Sequence, residues 1–417
     1  MTHHSSISAY TLFSIFLAGI FSGCFLLPSD EGKFENAGPF LTWQQDPTST
    51  MTIDWYAHEG DQEARIISFR GINSDTSWRH VAATQHEIPS SEYVIHRVEL
   101  SGLDADAKYE FRIPLGEFRF RTLPETLSRP VRLAAGGDVR HRQSWMEATN
   151  RQVAKHDVDF VIWGGDLAYA GARPDRLYRW REFFEATHNT LVQDDGRVIP
   201  VLAAIGNHEV RRGFFREHDG YQATETWRRD IAPYYYSFFA FPGQPGYGVL
   251  DVGDYLSLIA LDTDHTNPID GEQTEWLQET LEARQDRPFV FPFYHVTAYP
   301  SHRSYSGSIQ RRVREHWVPF FEEYNVSIAF ENHDHTYKRT PPIREGAIDS
   351  TGVVYLGDGA WGVGTRDVHS VDDTWYLERA ESVKHFILGT LTPGKVSFEM
   401  IDQEGRVFDR YERVVGD

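Results

Sequence analysis

Six short apolar runs, at 131–135, 158–163, 198–205, 255–261, 289–294 and 326–330, are nearly continuous and bounded by turn residues. Runs of that length and character predict strands buried on both faces, as in a sheet covered by helices. Between them the apolar period changes. Trp276, Leu277, Thr280 and Leu281 recur at helical spacing, and Asp270 with Gln273 makes a capping-box pattern for a helix reaching about Arg284. Further helices are expected over 144–155, 176–186 and 309–324, with β-rich sequence from Gly352 onward. Strand alternating with helix predicts an α/β domain over 131–412.

Upstream the pattern is different. MTIDWY at Met51, ARIISFR at Ala64, YVIHRVEL at Tyr93 and EFRFRTL at Glu117 alternate apolar and polar positions, which predicts a small all-β sandwich over 38–126. Tyr109, six residues after Leu103 in LSGLDADAKYEF, resembles the tyrosine corner of fibronectin type III domains. A link at 123–130 joins the two domains. At 417 residues, two domains are what the length suggests.

Chemistry gathers where the buried runs stop. Asp138 lies in GGDVR, Asp166 and Tyr169 in GGDLAYAG, Asn207 in GNHE, His295 in FYHVTAY, and His333 and His335 in ENHDH. In open α/β sheets ligands collect at the carboxyl ends of strands, so this placement is what a site on such a sheet requires. Carboxylate, phenolate, amide oxygen and imidazole suit iron, zinc or manganese, and the absence of thiolate argues against copper or iron–sulfur chemistry. Two cations roughly 3.5 to 4 Å apart can neutralise a phosphate ester and supply a hydroxide near neutral pH. Singly, each motif is weak: Gly-Asp and Gly-Asn are ordinary turn dipeptides, a lone buried histidine is more often structural, and HDH can be a solvated loop. The ordered set carries the reading.

The order GD, GDxxY, GNH(E or D), a lone His and a closing HxH resembles the purple acid phosphatases over most of 38–412. Many related metallophosphatases place a histidine two residues after the first aspartate; Arg140 stands there in this chain, and Tyr169 points to the tyrosine-ligated branch. The resemblance implies a two-sheet sandwich flanked by helices, preceded by a fibronectin-like domain. It implies that Asp138, Tyr169 and His335 hold one metal, that Asn207, His295 and His333 hold the other, and that Asp166 bridges them. A phenolate ligand favours ferric iron at the first site, with zinc, manganese or ferrous iron at the second. His208 is the expected general acid or phosphate binder, and His302, in AYPSHRSY, a weaker candidate for the same pocket. The implied activity is hydrolysis of phosphate monoesters by a metal-bound hydroxide. A phosphodiesterase or nucleotidase with the same metals is the near alternative, and a catalytically inert surface-binding protein the distant one. In the closing motif Asn332 replaces the family glycine; it is the substitute best tolerated at a positive φ, and its amide is available to bond a ligand.

Charge and the amino terminus complete the picture. A net charge of −20 argues against binding a nucleic-acid polymer and leaves a small phosphoester as the expected partner. Arg140, His141, Arg142, Arg211 and Arg212 are either positive groups at the pocket rim or solvated loop charges. The run YYYSFFAF from Tyr234 reads as a packed turn and strand rather than a base-stacking platform. The apolar stretch 10–21 runs into FSGC, which resembles a bacterial lipoprotein signal over 1–23 with Cys24, the single cysteine, as the lipidated residue. That predicts an exported, membrane-anchored protein, periplasmic or on the cell surface, with 24–37 as a tether. An ordinary signal peptide or an uncleaved anchor is the alternative.

Overall fold

The computed structural model describes residues 34, 37–61, 63–72 and 77–415, and the chain from Gly32 onward is one compact unit. The expectations for the signal, for Cys24 and for most of the tether fall outside the described residues. Phe34 corrects the tether expectation, because its ring is fully buried against Tyr56, Tyr93 and Phe238.

Eight strands build the first part: β1 (Phe40–Thr42), β2 (Met51–His58), β3 (Ile66–Gly71), β4 (Arg79–Ala82), β5 (Thr84–Glu87), β6 (Tyr93–Leu100), β7 (Lys108–Ile113) and β8 (Gly116–Arg121). They form two four-stranded sheets, ordered β1-β2-β6-β5 and β4-β3-β7-β8. The alternation read along the chain sends Met51, Ile53 and Trp55 of β2 and Phe111 and Phe120 of the facing sheet into one core. Tyr109 Oη accepts the Asp104 N–H at 2.8 Å, the contact its spacing predicts.

The second part continues with β9 (Val131–Gly136), α1 (Gln143–Val153), β10 (Phe160–Gly164), α2 (Leu177–Thr190), β11 (Val201–Ala204), α3 (Glu225–Ile231), α4 (Pro233–Phe238), β12 (Gly248–Val252) and β13 (Leu256–Ala260). After α5 (Glu272–Glu282) and β14 (Phe289–Val296) come α6 (Ser308–His316), α7 (Val318–Glu323), β15 (Ile328–Asn332), β16 (Tyr337–Arg339), β17 (Ile343–Arg344), β18 (Ala347–Ile348) and β19 (Val354–Gly357). The chain closes with β20 (Arg379–Glu381), β21 (His385–Thr392), β22 (Lys395–Asp402) and β23 (Val407–Val414).

One sheet runs β11-β10-β9-β21-β22-β23 and the other β12-β13-β14-β15-β19-β16-β20, with β17 and β18 as a separate ribbon. Strands β9, β10 and β11 are mutually parallel, as are β13, β14, β15 and β19. Their hydrophobicity is continuous because both faces are covered. Phe289, Phe291 and Phe293 of β14 join Leu133 and Ile162 in the core between the sheets, while Val290 and Tyr294 turn outward onto α5 and α7 through Leu277 and Phe321. On the other side Val161 and Trp163 pack on Phe183 and Phe184 of α2. The result is a helix–sheet–sheet–helix stack, the α/β arrangement the pattern predicts.

Three local expectations are corrected. The 309–324 helix is two helices, broken at Trp317, with Pro319 in the first turn of the second. The Asp270–Gln273 capping box does not form: Gly271 precedes α5 without a side-chain cap, and Gln273 turns inward to bond the Asp262 N–H and carbonyl. Tyr234 to Phe238 is helix α4, packed and buried, rather than strand.

The join between the two parts is polar at its rim. Arg121 and Arg129 converge on the buried Asp159 carboxylate, at 2.5 and 2.9 Å, and Lys108 reaches Asp195 at 2.8 Å. Inside it is apolar, with Trp43 edge-on to Phe160 and Phe40 edge-on to Phe184.

His385, at the start of β21, gives the fold a pH dependence. It is buried between Tyr337 and Phe408, its Nδ1 lies 3.1 Å from the Val383 carbonyl, and burial lowers its pKa to about 4. An unfolded imidazole titrates near 6.5. The stability tied to a neutral His385 is therefore complete above that value and is lost as pH falls from 6.5 towards 4, by about 3 kcal/mol in all. Urea unfolding at pH 7, 5.5 and 4.5 should show a shallower acid loss in His385→Leu than in the native chain; equal slopes would contradict it.

Candidate metal centre

The two parallel strand sets deliver their ends to one place. Asp138 follows β9, Asp166 and Tyr169 follow β10, Asn207 and His208 follow β11, His295 sits near the end of β14, and His333 and His335 follow β15. The loops turn sharply there. Asp138, Asp166, Tyr169, His333 and His335 all have positive φ, between 53 and 81°. Non-glycine residues in that region cost roughly 1–3 kcal/mol each and persist where surrounding structure holds them.

The side chains gather into two neighbouring groups. In the first, Tyr169 Oη donates to Asp138 Oδ1 at 2.9 Å and lies 3.2 Å from His335 Nε2, which is itself 2.9 Å from Asp138 Oδ1. In the second, His295 Nε2 is 2.9 Å from His333 Nδ1 and 3.1 Å from Asn207 Oδ1. Asp166 Oδ2 stands 3.3 Å from His295 Nε2, and the ligand atoms of Asp166, His295 and His333 all lie within 4.8 Å of one another. His333 N–H donates to Asp138 Oδ2 at 2.8 Å, tying one group to the other.

Several neighbours hold these atoms in place. His295 Nδ1 is fixed at 2.9 Å on the Gly164 carbonyl, so Nε2 is the nitrogen left to face the cluster. Glu209, the last residue of GNHE, accepts from the N–H groups of Gly206, Asp166 and Leu167 at 2.8 to 2.9 Å. Burial, then the nearby Asp166 charge, raise its pKa to about 8. Gly359 brings the loop after β19 against Asp138: a Cβ there would meet Asp138 Oδ2 at 1.9 Å.

The electrostatics favour positive charge at the centre. Burial opposes ionisation of both Asp166 and His295, yet Asp166 carries His295 up to about 9, while His295 and His208 hold the Asp166 carboxyl far below its usual range. Burial and the adjacent His295 keep His333 neutral. Burial first, and then Asp138, push the Tyr169 hydroxyl well above its ordinary value. Nitrogen and oxygen lone pairs this close repel one another unless a proton or a cation lies between them, so the Asp166, His295 and His333 donor set fits a cation.

His208 stands beside the cluster. Its backbone N–H donates to Asp166 Oδ1 at 2.8 Å, its ring lies 4.3 Å from that of Tyr169, and its side chain is 44% exposed. The His302 ring is held at 2.8 Å on the Asp367 carbonyl and makes no hydrogen bond or ring contact with the seven candidate ligands. Asn332 departs from its expectation. It is the last residue of β15, positive φ falls on His333 instead, and its amide donates to the Tyr294 carbonyl at 2.8 Å rather than to a ligand.

The arginines separate by role. Arg140 is buried and paired with Glu182, Arg142 lies over the Trp145 ring, and Arg211 and Arg212 bond the carbonyls of Asp230 and Glu217. Exposed His141 does reach the site, edge-on to Tyr169 at 5.4 Å. Arg366, which no motif marks, bonds the His333 carbonyl at 3.4 Å, and its backbone N–H donates to the His335 carbonyl. Its guanidinium is half-buried and has no carboxylate partner among the described residues.

Paired sheets with the candidate ligands at the parallel strand ends define a metallophosphoesterase architecture. The family described as calcineurin-like phosphoesterase matches residues 132–337, and that described as the purple acid phosphatase N-terminal domain matches 37–123. The chain is 28% identical to probable purple acid phosphatase 20 of Arabidopsis thaliana over 58% of its own length, and 26% identical to purple acid phosphatase 21 of the same plant over 64%. It spans 54% and 58% of those two relatives. A purple acid phosphatase structure from yellow lupin seeds shares the fold, with a TM-score of 0.73 and 18% identity over 90% of this chain and 74% of that one. The chain belongs to the purple acid phosphatase family. Among the described residues no helix is long and apolar enough to cross a membrane.

Proposed function

We propose that this chain hydrolyses phosphate monoesters at a two-metal centre. What supports the reading above all is the convergence of seven donor side chains in two groups, with the Asp166 carboxylate between His295 and His208. Asp138, Tyr169 and His335 would hold one ion, Asn207, His295 and His333 the other, and Asp166 both. Ferric iron suits the phenolate site, with zinc, manganese or ferrous iron opposite. Such a pair would supply charge neutralisation of the phosphate oxygens and a hydroxide near neutral pH.

The chain does the rest. Arg366 offers its free guanidinium edge to an outer phosphate oxygen, a geometry arginine provides and lysine does not. His208, packed against the Tyr169 ring and open to solvent, holds a proton on Nε2, 3.9 Å from Asp166 Oδ2, and delivers it to the departing alcohol oxygen. Glu209 keeps the Asp166 loop rigid, so the shared carboxylate stays in register with both groups. The reading includes export with Cys24 as a lipid attachment point, which rests on the amino-terminal sequence alone.

Protein loaded with iron and then zinc or manganese should turn over p-nitrophenyl phosphate and bind two metals per chain by mass spectrometry. A visible phenolate charge-transfer band should vanish in Tyr169→Phe. Metal-loaded protein inert on monoesters, diesters and nucleotides from about pH 4 to 9 would overturn the reading.

A further inference from the structure

Beside the Asn207 half of the centre lies a cavity of about 540 Å³, within the range of small-molecule sites. Its walls come from the loops after β11 and β13 and from the first turns of α6, the helix that follows β14, so it lies at the same end of the sheets as the candidate ligands. Phe214 forms one wall. Its half-buried ring stacks on His265 at 5.1 Å and 29°, and His265 lies 5.5 Å from the His295 ring. Gly213 packs against Asn207, and its carbonyl lies 3.1 Å from His265 Nδ1.

We propose that this cavity is the leaving-group subsite and that it selects an aromatic or heteroaromatic ring, stacked on the free face of Phe214. The inference rests on the phosphoester reading and names the substrate class of that same site. Phe214 is held from behind by His265, so the ring is a preordered platform. Ile309 supplies a further apolar contact.

The charges in the cavity decide against a second anionic group. Arg216 and Arg312 both pair with Asp264, at 3.4 and 2.5 Å, and both approach Asp270. With these guanidiniums already neutralised, what they present is flat polar edges beside an aromatic face. A ring bearing hydrogen-bond acceptors, such as a nucleobase, fits that lining; an alkyl alcohol leaves the platform uncovered.

The test compares adenosine 5′-monophosphate with glycerol phosphate. In Phe214→Ala the ratio of kcat/KM for the nucleotide to that for glycerol phosphate should fall about tenfold, chiefly through KM, and Phe214→Trp should restore it. An unchanged ratio, or equal losses on both esters, overturns the subsite. Saturation-transfer NMR with adenosine, which lacks phosphate, provides a readout independent of turnover. Saturation should reach the base protons in the native chain and not in Phe214→Ala. Adenosine that receives none from the native chain refutes the subsite even if esters are hydrolysed, whereas adenosine binding without hydrolysis of any ester refutes the enzymatic reading and leaves the ring site standing.

Discussion

Asp166→Asn should lower kcat/KM by about a thousandfold, equivalent to about 4 kcal/mol of transition-state stabilisation. The substitution keeps the side-chain shape and an oxygen for the His208 N–H, at 2.8 Å in the native chain. It removes the negative charge that, in the proposed centre, would serve both donor groups. His295, raised to about 9 chiefly by Asp166 against its own burial, loses the partner that makes its position electropositive. His335 touches only the first group, so His335→Ala should be the milder change, with one ion retained. Kinetics at saturating metal and metal content by mass spectrometry compare the two. An Asp166→Asn enzyme more active than His335→Ala would mean that the carboxylate is not shared.

Gly359→Ala should be nearly as damaging, although the residue carries no functional group. Its φ is 72°, and the added Cβ would stand 1.9 Å from Asp138 Oδ2 and 2.8 Å from the His333 nitrogen. The carboxylate must move, releasing the His333 N–H and the Tyr169 hydroxyl that it now accepts. We expect at least a hundredfold loss of activity and about 2 to 3 kcal/mol of stability. Gly220 is the control, since its φ is also 72° and nothing lies within 4 Å of its added Cβ. Gly220→Ala should cost only the backbone preference, about 1 kcal/mol. Equal urea midpoints for the two variants would show that Asp138 tolerates the intrusion.

What the sequence made legible depended on distance along the chain. Runs such as FVIWG and FVFPFYHV announce buried strands because each residue's own character and its immediate neighbours are enough. The candidate ligand motifs stand out for the same reason, as short phrases at strand ends. Glu209 lay in plain view within GNHE, but its work is to collect three N–H groups from two different loops. Nothing local signals that. Asp358 and Gly359 form one more Gly-Asp-Gly turn after a strand, and only the packing of β19 beside β15 brings it onto Asp138. Arg366 has no motif at all. Where local rules did mislead, tertiary contacts overrode them: Gln273, in the first turn of α5, turns inward to bond Asp262 rather than capping the helix, and the positive φ expected at Asn332 falls one residue on, at His333.

The apolar core under the join has a consequence for how the molecule comes apart. Trp43, Phe111 and Leu123 belong to the same contiguous cluster as Phe160, Phe291 and Phe398. The amino-terminal sandwich is thus less an appended module than a lid nailed to the catalytic scaffold, and severing the chain near Leu127 would strip oil-like surface on both fragments. Heat should melt the pair as one cooperative body, and evolution can trim or decorate the sandwich only while leaving that shared face intact.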